Sequence, residues 1–149
     1  MFYYDTNLEF KGATLLSADE ASNLLTVQER KNKDYWWLRT PGHDSSYACI
    51  VSRYGSVSYY GSPVRTNFGI RPALMLSNLG TFKVGDIFNI EDHYFKIISP
   101  NLAWLYKQDI GRKEDFDAKS NDYETSHVKQ VVDAWYEELR KDLLLWKDE

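Results

Sequence analysis

The sequence predicts an α+β fold in which two small antiparallel β-meanders carry two helices, and three observations lead there. The stretch 35–76, YWWLRTPGHDSSYACIVSRYGSVSYYGSPVRTNFGIRPALML, breaks into short apolar or alternating runs punctuated by glycine and proline, the pattern of hairpin-connected strands. A second set of such runs lies between Thr81 and Tyr106. Behind Ser17 and behind Ser126, apolar residues instead recur at helical spacing.

Residues 8–16 (LEFKGATLL) read as a strand ending at Ser17. Ser17-Ala18-Asp19-Glu20 is a capping box, in which the serine hydroxyl accepts the Glu20 N–H and the Glu20 carboxylate reaches back to the serine N–H. A helix over 18–30 follows, with Ala21, Leu24, Leu25 and Val27 facing inward and a charged exit over 29–34. The central meander opens with an aromatic strand, Tyr35–Arg39. Trp36 and Trp37, as neighbours, point to opposite faces, so either both faces are covered or one indole lies at a surface. After a turn at Thr40-Pro41-Gly42, the continuous apolar run Ala48–Val51 predicts a strand buried on both sides. A turn at Tyr54-Gly55 leads to Ser56–Tyr60, whose alternation predicts one wet face. The closing strand, Ile70–Leu76, carries Arg71 among apolar residues. A buried guanidinium is costly unless bonded, so Arg71 is expected to hold backbone carbonyls or a carboxylate as part of the frame.

The joint Ser77-Asn78-Leu79-Gly80 leads into the second meander: Ile87–Ile90, a turn at Glu91-Asp92-His93, Tyr94–Ile98, and Leu102–Tyr106. Residues 107–125 are the most polar stretch, expected as a surface loop anchored by Ile110, Phe116 and Tyr123. Ser126 caps the closing helix, with Val128, Val131, Val132, Trp135, Leu139 and Leu143 on its apolar face. Leu143-Leu144-Leu145-Trp146 is more apolar than one core stripe needs, so it packs on the sheet or meets another subunit.

A chain of 149 residues is one domain's worth, 1–149, and aromatic residues at 15% exceed what a core alone requires. The net charge of −4 is uneven, +1 over 1–79 and −5 over 80–149, and no basic stripe for nucleic acid appears. One cysteine cannot form an internal disulfide, which suits a reducing cytoplasm. Met1–Thr6 lacks the basic start and apolar core of a signal peptide, and no apolar run approaches the ~20 residues that span a bilayer. No membrane partner is expected.

Candidate chemistry is sparse. His43-Asp44 pairs a base with a carboxylate but reads as a polar turn, because no nucleophile can be set beside it. Cys49 reads as a small buried hydrophobe. His93 has no second ligand at metal spacing, and no phosphate loop or zinc motif is present. No catalytic residue, metal site or cofactor is predicted. The expected binding residues are Tyr54, Tyr59, Tyr60, Arg65 and Asn67, taken as coming from two adjacent turns of the central meander. Tyrosine offers large contact area at low entropy cost, while Ser, Gly and Asn adapt their hydrogen bonds.

The run Trp36-Trp37-Leu38-Arg39-Thr40-Pro41-Gly42, then Ala48–Val51, Gly55-Ser56-Val57 and Gly69-Ile70-Arg71-Pro72-Ala73-Leu74 resembles a domain-of-unknown-function family, number 6273, of bacteria and their phages. The family pattern is close to WWLRSPG, a short apolar strand, G-x-V, then GVRPAL. Leu15-Leu16-Ser17-Ala18-Asp19-Glu20-Ala21 is similar to the stretch ahead of it. The segment from Gly85 through Tyr136 looks like what normally begins such a domain, so the halves stand in permuted order. Circular permutation and a dimer with swapped halves both account for that order. The family's layout is similar to the C-type-lectin-like and formylglycine-enzyme-like group, which implies two small sheets and a variable loop surface. The Glu-Pro-Asn and Trp-Asn-Asp motifs of calcium-dependent sugar binding are absent.

The resulting expectation is a non-enzymatic recognition domain of a bacterial or phage protein, acting in the host-cell cytoplasm. Its tyrosine-rich loops would bind a protein, or else a glycan, with a homodimer through swapped halves or the C-terminal helix as a further contact. The rival is a small phage-encoded inhibitor of a host defence protein, using Asp109, Glu114, Asp115, Asp117, Asp122 and Glu124 as an acidic contact. Added salt separates the two, weakening the charge-driven contact and sparing the tyrosine-driven one.

Overall fold

In the computed structural model, backbone is described for residues 7–148 and side chains for 7–142; the readings placed on Met1–Thr6 and on Leu143–Trp146 fall outside the described residues or side chains. The strands are β1 (Leu8–Thr14), β2 (Trp36–Pro41), β3 (Tyr47–Val51), β4 (Val57–Pro63), β5 (Phe68–Gly69), β6 (Ala73–Leu79), β7 (Ile87–Ile90), β8 (His93–Ser99), β9 (Leu102–Leu105) and β10 (Lys113–Glu114). The helices are α1 (Ala18–Leu24), α2 (Val27–Arg30) and α3 (His127–Asp148), with a 3-10 turn at Tyr123–Thr125. The class is α+β. Among the described residues no helix is long and apolar enough to cross a membrane.

Two five-stranded sheets form, in the orders β1-β6-β9-β8-β7 and β10-β5-β2-β3-β4. Every pairing is antiparallel except a single parallel contact of β2 with β5 at Trp36 and Gly69. The expected division into two sequential meanders is corrected here, because each sheet takes strands from both halves of the chain. In the first, β6 pairs with β9 through Leu74 and Ala103. In the second, β10 pairs with β5. Both sheets are therefore completed within one chain.

The pivot between the sheets is Ile70-Arg71-Pro72. The closing strand expected over 70–76 starts instead at Ala73 and runs to Leu79 as β6, while Phe68–Gly69, just ahead of the pivot, form β5 in the other sheet. Pro72 has no N–H to give a ladder, and its carbonyl instead accepts the Leu105 N–H at 3.0 Å. Arg71 is 1% exposed. Its Nε donates to the Gln108 carbonyl at 2.7 Å, and its terminal nitrogens donate to the carbonyls of Glu29 at 3.0 Å, Leu105 at 3.3 Å and Lys31 at 3.5 Å. The guanidinium also lies over Trp104 (4.0 Å) and Trp36 (5.2 Å). Burial pushes its pKa down to about 9, with Asp109 and Glu29 pulling the other way, so it stays charged at neutral pH.

Trp36 and Trp37 are both fully buried, on opposite faces of β2. Trp36 joins Ala21, Leu25 and Trp104, whereas Trp37 joins Phe116 and the α3 residues Val128, Val131 and Val132. Each indole N–H is bonded, Trp36 to the Arg30 carbonyl at 3.0 Å and Trp37 to that of Glu114 at 2.8 Å. Around them the expected helix over 18–30 breaks after Leu24. Thr26 opens a second capping box with Glu29, which starts α2 on a new axis. Ala21 and Leu25 are buried as expected, but Leu24, the last residue of α1, and Val27, the first of α2, are exposed.

The polar stretch 107–125 is anchored as its apolar residues suggest, with Phe116 and Tyr123 buried and Ile110 half-buried. It also holds β10, which so polar a pair as Lys113-Glu114 did not signal. Ser126 Oγ accepts the Lys129 N–H at 3.0 Å, and α3 buries Val128, Val131, Val132 and Leu139.

Candidate functional site

The five residues expected to bind divide among three places along the β3–β4 hairpin. Tyr54 stands in its turn, 73% exposed. Tyr59 and Tyr60 are not in a turn but in β4, the edge of the second sheet. Arg65 and Asn67 are exposed in the β4–β5 connection at the strand's other end. A seven-residue strand is ~20 Å long, so the residues of the two connections cannot share one small contact.

Tyr59 and Tyr60 also part company. The expectation of one wet face fails: on β4, at the edge of the sheet, both rings emerge, at 51% and 61% exposure. The Tyr59 hydroxyl donates to Asp19 Oδ1 at 2.9 Å and lies 3.2 Å from Ser22 Oγ on α1. Tyr60 turns to the opposite face and stacks on His43, with ring centroids 3.9 Å apart and planes at 16°. Tyr47 stands edge-on to both, at 4.3 Å from His43 and 5.5 Å from Tyr60.

This three-ring cluster is fixed by the β2–β3 turn. Gly42 donates to the Tyr47 carbonyl (2.7 Å) and His43 to the Tyr60 carbonyl (3.0 Å). Asp44 Oδ1 accepts both the Ser46 N–H (2.8 Å) and its hydroxyl (2.7 Å), closing an Asx turn. From the far half of the chain, Asn121 Nδ2 donates to the carbonyls of Asp44 and Tyr47, each at 2.9 Å. A β-carbon at position 42 would sit 2.6 Å from the Tyr60 carbonyl, so only glycine admits so close an approach. The rings are thus exposed yet held by backbone.

Residues 5–78 match the family described as Domain of unknown function (DUF6273). This segment, 74 of the chain's 149 residues, is what the chain has in common with the DUF6273 family. No curated protein and no solved structure matches the chain. Within the matched segment the motif residues mostly build the frame: Trp36 and Trp37 the two core faces, Arg71 the pivot, Gly69 the parallel contact with β2. Gly42 alone of them touches the ring cluster.

The remaining candidates have local duties. His43 Nε2 lies 3.2 Å from Asp44 Oδ2, while Ser46 bonds the other oxygen of the same carboxylate. The carboxylate thus stands between serine and histidine, and the hydroxyl donates to it and not to the imidazole. Those Ser46 bonds hold the Asp44 carboxyl below its ordinary pKa. Cys49 is buried and donates weakly toward the Pro41 and Tyr59 carbonyls, both at 3.4 Å, and burial raises its thiol pKa, with Asp19 adding to it. His93 begins β8 beside Trp135. Among the described residues no three His, Cys, Asp or Glu side chains gather as a metal site.

Four of the six carboxylates of the acidic rival are engaged within the fold. Asp109 accepts the Gly111 N–H and Asn32 Nδ2, Glu114 holds Arg112 (2.7 Å) and His127 (2.8 Å), Asp117 accepts three backbone N–H groups, and Asp122 caps Glu124. Sequence reasoning missed His43, Tyr47 and Asn121 as ring-cluster residues. Pro41-Gly42 ahead of His43-Asp44-Ser45-Ser46 was the available signal for an ordered Asx turn; nothing local marked Asn121.

Proposed function

We propose that this protein is a non-enzymatic recognition domain, of bacterial or phage origin and acting in the host-cell cytoplasm, whose ring cluster at the edge of the second sheet binds a partner protein. The observation that carries the reading is the exposed His43–Tyr60 stack with Tyr47 against it, fixed from both halves of the chain. Rings already immobilised lose little further entropy on binding, which is how aromatic anchors contribute most at interfaces. A glycan is the second ligand the same rings suit, since a sugar face can lie on an aromatic ring. The acidic rival is less favoured, because most of its carboxylates already serve turns and ion pairs.

The test is capture from bacterial lysate, with each captured protein then made pure and its affinity measured. Tyr60→Ala is compared with Tyr54→Ala and with a variant neutralised over 109–124. An aromatic anchor of this kind carries about 2 kcal/mol or more, a loss of ~30-fold. That loss in Tyr60→Ala alone, insensitive to salt, supports the reading. Loss confined to the neutralised variant transfers the function to the acidic surface, and retention by none of the proteins with a positive glycan screen transfers it to sugars.

A further inference from the structure

At the other end of β2 from the ring cluster, a groove of about 500 Å³ opens between the exit of α2 and the turn after β9. Its charge runs against that of the whole chain. Lys31, Lys33 and Lys107 line it, all exposed, and none forms an ion pair with a described residue. The one lining carboxylate, Glu29, is already neutralised by Lys96. Asp34 and Asp109 line the neighbouring cleft on the far side of Lys33, and Asp109 is engaged by Asn32 and Gly111.

Two further features mark the groove. The carbonyls of the lining residues Glu29 and Lys31, and that of Gln108 beside Lys107, accept from the buried Arg71 guanidinium. Lys107 adopts φ 58, one of only two non-glycine residues with positive φ among those described. That conformation costs a lysine free energy that glycine would not spend, and such outliers concentrate at functional sites. Its ammonium lies 5.4 Å from the centre of the Tyr106 ring, at the groove wall.

We infer that this groove binds a small, multiply charged phosphate compound of about nucleotide size, held by the ammonium groups of Lys31, Lys33 and Lys107. Three point charges on one opening suit the several oxygens of a polyphosphate better than a single carboxylate, and the volume lies in the range of small-molecule sites, roughly 300–1,000 Å³. The inference is independent of the ring cluster and stands or falls apart from it.

Calorimetric titration of the full chain with ATP, pyrophosphate and, as a polyanion without phosphorus, citrate tests it. Saturable binding of ATP and pyrophosphate is expected, weakening with salt and stronger than citrate. The double variant Lys31→Gln/Lys33→Gln should lose about tenfold or more in affinity, on the scale of charge-assisted hydrogen bonds, with unchanged melting temperature because both side chains are exposed. Lys107→Gly separates binding from structure, since it should bind several-fold more weakly while melting higher. Failure of both phosphate probes to bind, affinity unchanged in the variants, or citrate binding as tightly as ATP overturns the inference. So does binding of an oligonucleotide when ATP and pyrophosphate are inert.

Discussion

Replacing Arg71 with methionine should destabilise the fold by about 3–5 kcal/mol, the cost typical of removing one partner from a buried charged network. The side chain bonds carbonyls from two separate stretches, Glu29 and Lys31 in one and Leu105 and Gln108 in the other. Each buried acceptor left without a donor costs about 1–3 kcal/mol. Part of that is offset, because the variant no longer desolvates a guanidinium, which is why the net falls below the sum. For a chain of 149 residues the loss corresponds to a fall in melting temperature of about 10–15 °C. Urea unfolding followed by tryptophan fluorescence reads it directly, since Trp36 and Trp104 flank the guanidinium. Arg71→Lys should lose nearly as much, because one ammonium cannot serve four carbonyls spread over two stretches of chain. A methionine variant within about 1 kcal/mol of the wild type would refute the reasoning and show that those carbonyls find other donors.

Thr26→Ala removes the hydroxyl that accepts the Glu29 N–H at 3.1 Å and should cost about 1 kcal/mol, measured by urea midpoint; no loss would mean that α2 is held by packing alone. Gly61→Ala places a β-carbon against the Ala48 carbonyl at φ +88 and should cost about 2 kcal/mol or more, while also displacing Tyr60, which a fall in partner capture would register. The Glu20 and Glu29 carboxyls are opposed by burial, which raises their pKa, but their bonds to Arg39 and Lys96 and to their own capping boxes outweigh it, leaving both below the ordinary 4.5. A folded pKa below the unfolded one adds stability that is present above pH 4.5 and lost as pH falls through the folded value. Stability of Glu29→Gln should accordingly fall less steeply than wild type below pH 4.5, and parallel acid limbs would contradict this.

Strands with strong patterns were legible from sequence: the Ala48–Val51 run, the Ile87–Leu105 meander and the Val128–Leu139 stripe all form as their periodicity indicates. So was the role of Arg71, because an arginine in an apolar strand has few affordable fates. What escaped was set by partners distant in sequence. Phe68-Gly69 and Ala73–Leu79 are close in sequence, but β5 sits between β10 and β2 in one sheet and β6 between β1 and β9 in the other, and partners so spread along the chain leave no local signal. Thr26-Val27-Gln28-Glu29 has the spacing of a capping box, a signal that the longer apolar spacing of 18–30 masks. The candidate site was half legible. Tyr60 is in it, but strand alternation sends Tyr59 to the other face, and His43 and Tyr47 reach Tyr60 only across the β3–β4 and β2–β3 connections.

The sharing of each sheet between the two halves has a consequence during synthesis. β6 is finished at Leu79, but β9, which pairs with it, begins only at Leu102, and β10 arrives later still, at Lys113. At about 5–20 residues per second, that first gap keeps the far edge of β6 bare for ~1–5 s. Until then the seven-residue strand has β1 on one side and water on the other. Neighbouring nascent chains on one messenger carry the same bare edge and, slightly ahead, the same β9. A translational pause between Leu79 and Leu102 would therefore favour exchange of halves between chains over closure within one.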